Sequence, residues 1–277
     1  MSSSFFARET NNSQESSLSP SLREASEFVI KRSRELVNQL VMGRGQENPP
    51  FLAKDIAASI GIKDILYADL GELDGMLVRC AHGYIIKVNA NHHEVRQNFS
   101  CAHEIGHILL DELDQQFAGS DTDWRGGTRI TGNEKERLCN IAAAELLMPT
   151  AVFSKCLTDF GLSIDSLERL ASIFKVSIQA AAIRVQEMSP DRCRIILWKR
   201  CHRNRSRGFI QAHSKRPAYE TYVRDPSSLL KAYESNNTVK SSKCFEIDNS
   251  TKRCLMESKG FGRDNMRYIL SLVFLDR

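Results

Sequence analysis

Hydrophobic and polar positions alternate along this chain in a few distinct rhythms. From Glu24 to Val41, the apolar residues Phe28, Val29, Leu36, Val37 and Leu40 recur at helical spacing, and two glycines between Met42 and Asn48 end the run. Pro49 and Pro50 open a second, shorter helix expected over Phe51 to Ile60 and closed by Gly61. Two β-rich runs follow, Gly75 to Cys80 and Tyr84 to Asn89, separated by Ala81, His82 and Gly83 in the manner of a hairpin. Ser100 to Leu110 is a helix pattern with apolar residues on most sides. Asn133 to Met148 is another, with Asn133 as its expected cap, Pro149 as its stop and an alanine run suited to close helix packing. Ser163 to Val185 carries two short helical patterns about Val176 and Ser177, the texture of a helix-turn-helix. Beyond Asp191, two runs read as strands, Arg194 to Lys199 and Tyr268 to Phe274, with mostly polar sequence between them.

The expected fold class is therefore α+β. Residues 1–22, rich in Ser, Asn and Glu, read as a disordered tail. Residues 23–150 form the main domain, 151–188 a small helical segment, and 189–277 an accessory α+β domain. The 277 residues are 42% hydrophobic and 26% charged, enough to build a core. The net charge of +4 is too small to argue for nucleic acid. No apolar run is long enough to span a membrane, and the N-terminus lacks the basic start and apolar centre of a secretory signal. Eight cysteines without a Cys-x-x-Cys pair read as reduced thiols, so the expected location is the cytoplasm.

The chemistry gathers at His103-Glu104-Ile105-Gly106-His107. One helical turn apart, His103 and His107 project from the same face and can take two corners of a tetrahedral zinc site. Glu104 lies beside them, where a carboxylate can serve as general base toward a water that the metal activates. The flanking Ala102, Ile105, Ile108, Leu109 and Leu110 favour burial, which weakens the competing reading of two solvated surface histidines. A third ligand is needed. The next histidines along the chain, His202 and His213, lie in a region of different character, so a glutamate on the second helix is the better source. Glu134, Glu136 and Glu145 compete. Glu136 has Asn140 one turn on, placed to orient a ligand, and each of the three could instead be a solvated carboxylate. His92 and His93 read as loop histidines.

Here the sequence resembles a known family. Arg96-x-x-Phe99 followed by His103-Glu104-Ile105-Gly106-His107, and then Glu136-x-x-Cys139-Asn140 leading through Ala142, Ala143 and Ala144 to Leu146-Leu147-Met148-Pro149, is similar to the ImmA/IrrE zinc metallopeptidases. That family shows Arg-x-x-Phe, then Ser or Thr, then x-Ala-His-Glu-x-Gly-His, and later Glu-x-x-Ala-Asn-x-Phe-Ala-Ala-x-Leu-Leu-Met-Pro. The likeness covers about Pro49 to Met188. Cys139 stands where the family pattern has Ala, and Ala142 where it has Phe. The resemblance implies a zincin-like core binding Zn2+ through His103, His107 and Glu136, with Glu104 as the catalytic base. It also implies a zinc-dependent endopeptidase acting on a protein substrate, such as a helix-turn-helix repressor in a stress response. The alternative is a DNA- or partner-binding regulator with a structural or vestigial zinc site. Nucleic acid is not favoured, because the second helix of the Ser163–Val185 pair carries one basic residue, Arg184. The basic stretch from Lys199 to Arg216 reads as a solvated loop.

Overall fold

The computed structural model describes residues 20–45, 47–81, 83–117, 130–201, 208–211, 227–235, 237–247, 250–262 and 267–275. The expected tail over 1–19, His82 in the hairpin turn, the Gly-rich stretch over 118–129 and the basic stretch beyond Cys201 lie outside these residues. The chain is a mixed α+β protein with two sheets. It divides into two compact units, one of 20–156 with 170–180, the other of 157–169 with 181 onward.

In the first unit, α1 (Pro20–Arg44) buries Leu22, Ala25, Val29, Ser33, Leu36, Val37 and Leu40, a stripe at the three-to-four spacing of one helix face. Helix α2 (Ala53–Ala57) is shorter than the expected 51–60. Its first N–H, on Ala53, donates to Asn98 Oδ1 at 2.9 Å, and the chain leaves the helix before Gly61, whose φ of 73° suits glycine. Strand β1 (Ile62–Ala68) follows, where no strand is expected from the sequence. Five of its seven residues are exposed, so the alternation that marks a half-buried strand is missing. The hairpin is present as β2 (Gly75–Cys80) and β3 (Gly83–Asn89), paired from Gly75 with Val88 to Cys80 with Gly83. The sheet order is β1-β3-β2, with β1 parallel to β3, so β2 is an edge strand.

Helices α3 (Glu94–Phe117) and α4 (Gly132–Leu147) carry the candidate chemistry, and α5 (Thr150–Phe160) follows Pro149. The cap of α4 is Thr131 rather than Asn133. Thr131 Oγ1 accepts from the Glu134 N–H at 3.3 Å, and Glu134 Oε2 accepts from the Thr131 N–H at 2.6 Å. Thr-x-x-Glu satisfies two end donors reciprocally, which a lone Asn cannot do, and so the helix starts earlier. The expected close approach at the alanine run is seen, with Ala142 and Ala143 fully buried. It is made possible from the other side by Gly106. A Cβ added there would meet Cys139 Cα at 2.8 Å and Cys139 O at 3.1 Å. Replacing Gly by Ala inside a helix ordinarily gains about 1 kcal/mol, whereas overpacking costs about 1–3 kcal/mol. The clash is with backbone, which cannot rotate aside, so the upper part of that range applies. Gly106→Ala is expected to lower stability by about 2 kcal/mol in urea unfolding. Unchanged or increased stability would show that the two helices are not held that close.

Helices α6 (Ile164–Phe174) and α7 (Ile178–Met188) are joined through Lys175, at a φ of 52°. The Ser177 hydroxyl accepts from the Ala180 N–H at 3.1 Å and caps the second helix. The division between units passes through both helices. In the second unit, β4 (Cys193–Cys201), β5 (Gly208–Gln211), β6 (Val239–Ile247), β7 (Ser250–Phe261) and β8 (Tyr268–Phe274) form an antiparallel sheet of order β5-β4-β8-β7-β6. Two of these strands are expected from the sequence. The others are too polar to be recognised: the buried side of β7 is Cys254, Met256, Ser258 and Gly260. A buried chain of hydrogen bonds uses that polarity. Trp198 Nε1 donates to Ser271 Oγ at 2.9 Å, and Ser271 Oγ lies 2.7 Å from Ser258 Oγ. Helix α8 (Ser227–Ser235) covers this core with Leu229 and Ala232. Among the described residues, no single helix is long and apolar enough to cross a membrane.

Candidate metal centre

Helix α3 begins at a fixed corner. His93 O accepts from the Arg96 N–H at 2.8 Å, and its ring Nδ1 lies 3.3 Å from the Val95 nitrogen. His92 Nδ1 lies 3.0 Å and Arg96 Nη2 2.6 Å from Asp74 Oδ1, so the start of α3 is tied to the residue before β2. His92 and His93 thus have structural partners, in keeping with their reading as loop residues. One turn into α3 the helix is buried on nearly every side from Ser100 to Leu110, with His107 half-buried.

His103 and His107 stand with ring centroids 5.1 Å apart and planes at 76°. Both turn Nε2 toward one carboxylate: His103 Nε2 is 3.1 Å from Glu136 Oε2, and His107 Nε2 is 3.7 Å from Glu136 Oε1. The opposite nitrogens are also engaged. Asn140 Oδ1, an acceptor, lies 3.0 Å from His103 Nδ1, which must therefore carry the hydrogen. That leaves the His103 Nε2 lone pair facing an anionic oxygen, an arrangement that needs a proton or a cation between the two. Cys139 Sγ lies 3.3 Å from His107 Nδ1. Two imidazole nitrogens and a carboxylate, converging with their far sides hydrogen-bonded, make a donor set able to hold a divalent metal.

Cys139 also lies within reach of both histidines: one ligand atom each of His103, His107 and Cys139 falls within 4.8 Å of the others. The two donor sets exclude one another at His107, since the nitrogens of one imidazole point in different directions and cannot bind the same ion. The set containing Glu136 uses Nε2 of both histidines and preserves the Asn140 bond, so it is the better arrangement. Nothing in the spacing of a lone cysteine announces this contact. The signal available in the sequence is that Cys139 directly precedes Asn140 and stands one turn beyond Glu136.

Glu104 lies on the β2 side of α3. The Leu77 N–H donates to its carboxylate, and a Cβ added at Gly75 would sit 3.0 Å from Glu104 Oε1. Burial pushes the Glu104 carboxyl up to about 7, assisted by the Glu136 charge and opposed by His103 and the Leu77 hydrogen bond. Burial pushes His107 down, while the close polar contact with His103 holds Glu136 below the usual carboxylate range. Burial likewise raises the Cys139 thiol, and the Glu136 and Glu104 charges add to the rise.

The two competing glutamates have other tasks. Glu134 closes the capping box of its own helix. Glu145, with a side chain 2% exposed, is not the solvated carboxylate that was its alternative reading. It accepts from Arg34 Nε at 2.9 Å, and from the N–H and hydroxyl of Thr150 at 3.1 and 2.9 Å, tying α1 to the start of α5.

Comparison with known proteins points to a metallopeptidase family. The model of the family Peptidase_M78, described as an IrrE N-terminal-like domain, matches residues 57–186. The radiation response metalloprotease IrrE of Deinococcus radiodurans is 34% identical over 127 residues, which cover 46% of this chain and 38% of that protein. Its namesake from Deinococcus deserti is 32% identical over 123 residues, covering 44% and 42%. The matched stretch thus spans about two fifths of these curated relatives. A Mycobacterium tuberculosis transcriptional regulator of known structure is similar with a TM-score of 0.56 and 12% identity, covering 91% of this chain and 80% of that one. At that identity the likeness is one of fold alone. Residues 57–186 of this chain, just under half of it, are thus similar to the IrrE N-terminal-like domain of the family Peptidase_M78.

Proposed function

We propose that this protein is a zinc-dependent endopeptidase with a zincin-like core, in which His103, His107 and Glu136 hold the metal and Glu104 is the catalytic base. The observation that carries this reading is the convergence of both Nε2 atoms on the Glu136 carboxylate, beside a buried Glu104. Zinc bound there supplies Lewis acidity, polarising a peptide carbonyl and making water a stronger acid. Glu104 takes the proton of the attacking water and delivers it to the leaving amine. Leu77 N–H keeps the carboxylate oriented, and Asn140 holds His103 in the tautomer that offers Nε2. The free edge of β2 runs past Glu104, and an extended substrate segment adds to it as a further strand.

The substrate is a specific regulatory protein, a helix-turn-helix repressor being the best candidate, met in the cytoplasm. The domain plan remains the sequence-based one: peptidase domain over 23–150, helical segment over 151–188, accessory domain over 189–277. Direct DNA reading by α7 is disfavoured. Its one basic side chain, Arg184, is buried and lies 3.5 Å from Glu187, so the helix presents no cation to phosphate.

Purified protein is expected to carry about one zinc per chain. Glu136→Ala should weaken zinc binding by more than about 100-fold, beyond the range for residues that merely support a ligand. Where a helix-turn-helix repressor is encoded beside this gene, incubation with it should give cleavage at a discrete position, lost with Glu136→Ala. Absence of metal, or cleavage that persists in that variant, would overturn the reading.

A further inference from the structure

We infer that Cys139 is a positioning residue for His107, its sulfur accepting the Nδ1–H so that Nε2 turns toward Glu136; this rests on the metal site proposed above. Three observations carry it. Cys139 Sγ is 3.3 Å from His107 Nδ1, on the side of the ring opposite the nitrogen that faces Glu136. Cys139 is fully buried, so its sulfur is fixed by packing beside that nitrogen. Its neighbour in sequence, Asn140, makes the equivalent contact to His103 Nδ1 at 3.0 Å, so two consecutive residues of α4 each orient one histidine of α3. The backbone geometry that permits this is the close approach at Gly106, whose missing side chain lets Cys139 Cα come near enough for its sulfur to reach the ring. An alanine at 139 has no atom to accept the hydrogen. The His107 ring would then be held by packing alone and free to turn about its last side-chain bond.

This role differs from ligation. As a ligand, the sulfur would bind the ion directly and take Glu136 out of the site. As a support, it stays off the ion and acts only through His107.

The test uses the full chain, zinc-loaded by dialysis and cobalt-loaded in parallel. Zinc affinity is measured by competition with a chromophoric chelator for the wild type, Cys139→Ala and Cys139→Ser. Cys139→Ala is expected to bind zinc about 10- to 100-fold more weakly. Cys139→Ser, which keeps an acceptor, should recover most of the loss, a rescue that a purely packing role does not predict. The cobalt-loaded wild type should lack the near-ultraviolet band of a thiolate-to-cobalt bond, and nitrogen-15 spectra of the zinc-loaded protein should show a hydrogen on His107 Nδ1. Wild-type zinc affinity in Cys139→Ala would overturn the inference while leaving the peptidase reading intact. A thiolate band that vanishes in Cys139→Ser would overturn it in favour of ligation. Failure of the wild type itself to bind zinc or cobalt would instead sink the site on which both rest.

Discussion

Glu104→Gln is expected to retain its metal and lose cleavage of the repressor by about 10²- to 10⁴-fold in kcat, the range attributed to a positioned proton-transfer group. Glutamine has the same shape and can still accept from the Leu77 N–H through its carbonyl, so the site around it is left standing. It cannot take a proton from water. The three donors His103, His107 and Glu136 are untouched, so zinc content should match the wild type within a factor of two or so. KM should change little, because the lost interaction belongs to the reacting water rather than to the bound peptide. The pairing of measurements is what makes the outcome decisive. Cleavage within about tenfold of wild type, with metal present, would assign the base to another residue. Loss of cleavage together with loss of metal would mean that Glu104 supports the site instead of acting in the chemistry.

The parts of this site that are legible in the sequence are those whose geometry is local. His103 and His107 sit four residues apart on one helix, so their common face follows from the helical period alone. Glu136 and Asn140 are likewise one turn apart, and that spacing brings a carboxylate and an amide oxygen onto the same side of α4. What spacing cannot give is the contact between the two helices. Gly106 reads as an ordinary helical glycine until Cys139 is seen against it. Cys139 reads as one of eight scattered thiols until its sulfur is found beside His107. The fate of Glu145 shows the same limit. Its position near the end of α4 suggests a solvated carboxylate, yet Arg34, more than a hundred residues earlier in the chain, meets it there.

The sheets divide along the same line. The β2–β3 hairpin announces itself through two β-rich runs and a short turn. Strand β1 does not, since it lies at the sheet edge with Leu66 and Tyr67 exposed and so has little apolar pattern to show. In the second unit, β4 and β8 carry continuous apolar runs, whereas β7 presents Ser258 and Gly260 to the core. Those residues are chosen by what they touch: Ser258 meets Ser271, and a Cβ at Gly260 would lie 2.7 Å from the Ala232 carbonyl oxygen. Packing between elements distant in sequence decides such positions, and no local period records it.

In the metal-free protein, ionisation of Glu104 should by itself remove about 2.5 kcal/mol of stability between pH 5 and pH 8, isolated by comparison with Glu104→Gln. Burial raises this carboxyl from 4.5 to about 7 in the folded chain. A carboxyl raised on folding binds its proton more tightly in the native state than in the unfolded one. Below about 4.5 both states are protonated, and the contribution is fully present. Between 4.5 and about 7 the unfolded chain releases the proton while the native chain keeps it, so stability falls as pH rises. Above that window both states are ionised, and the native protein holds a buried charge. At about 1.4 kcal/mol per pH unit, the loss over this interval comes to about 3 kcal/mol. Glu104→Gln removes the ionisation without removing the side chain's bulk. Denaturant unfolding of the chelator-treated wild type and variant should therefore give similar stabilities near pH 4.5 and a variant more stable by up to about 3 kcal/mol at pH 8. Two parallel stability curves would mean that Glu104 ionises in the folded chain as freely as in water.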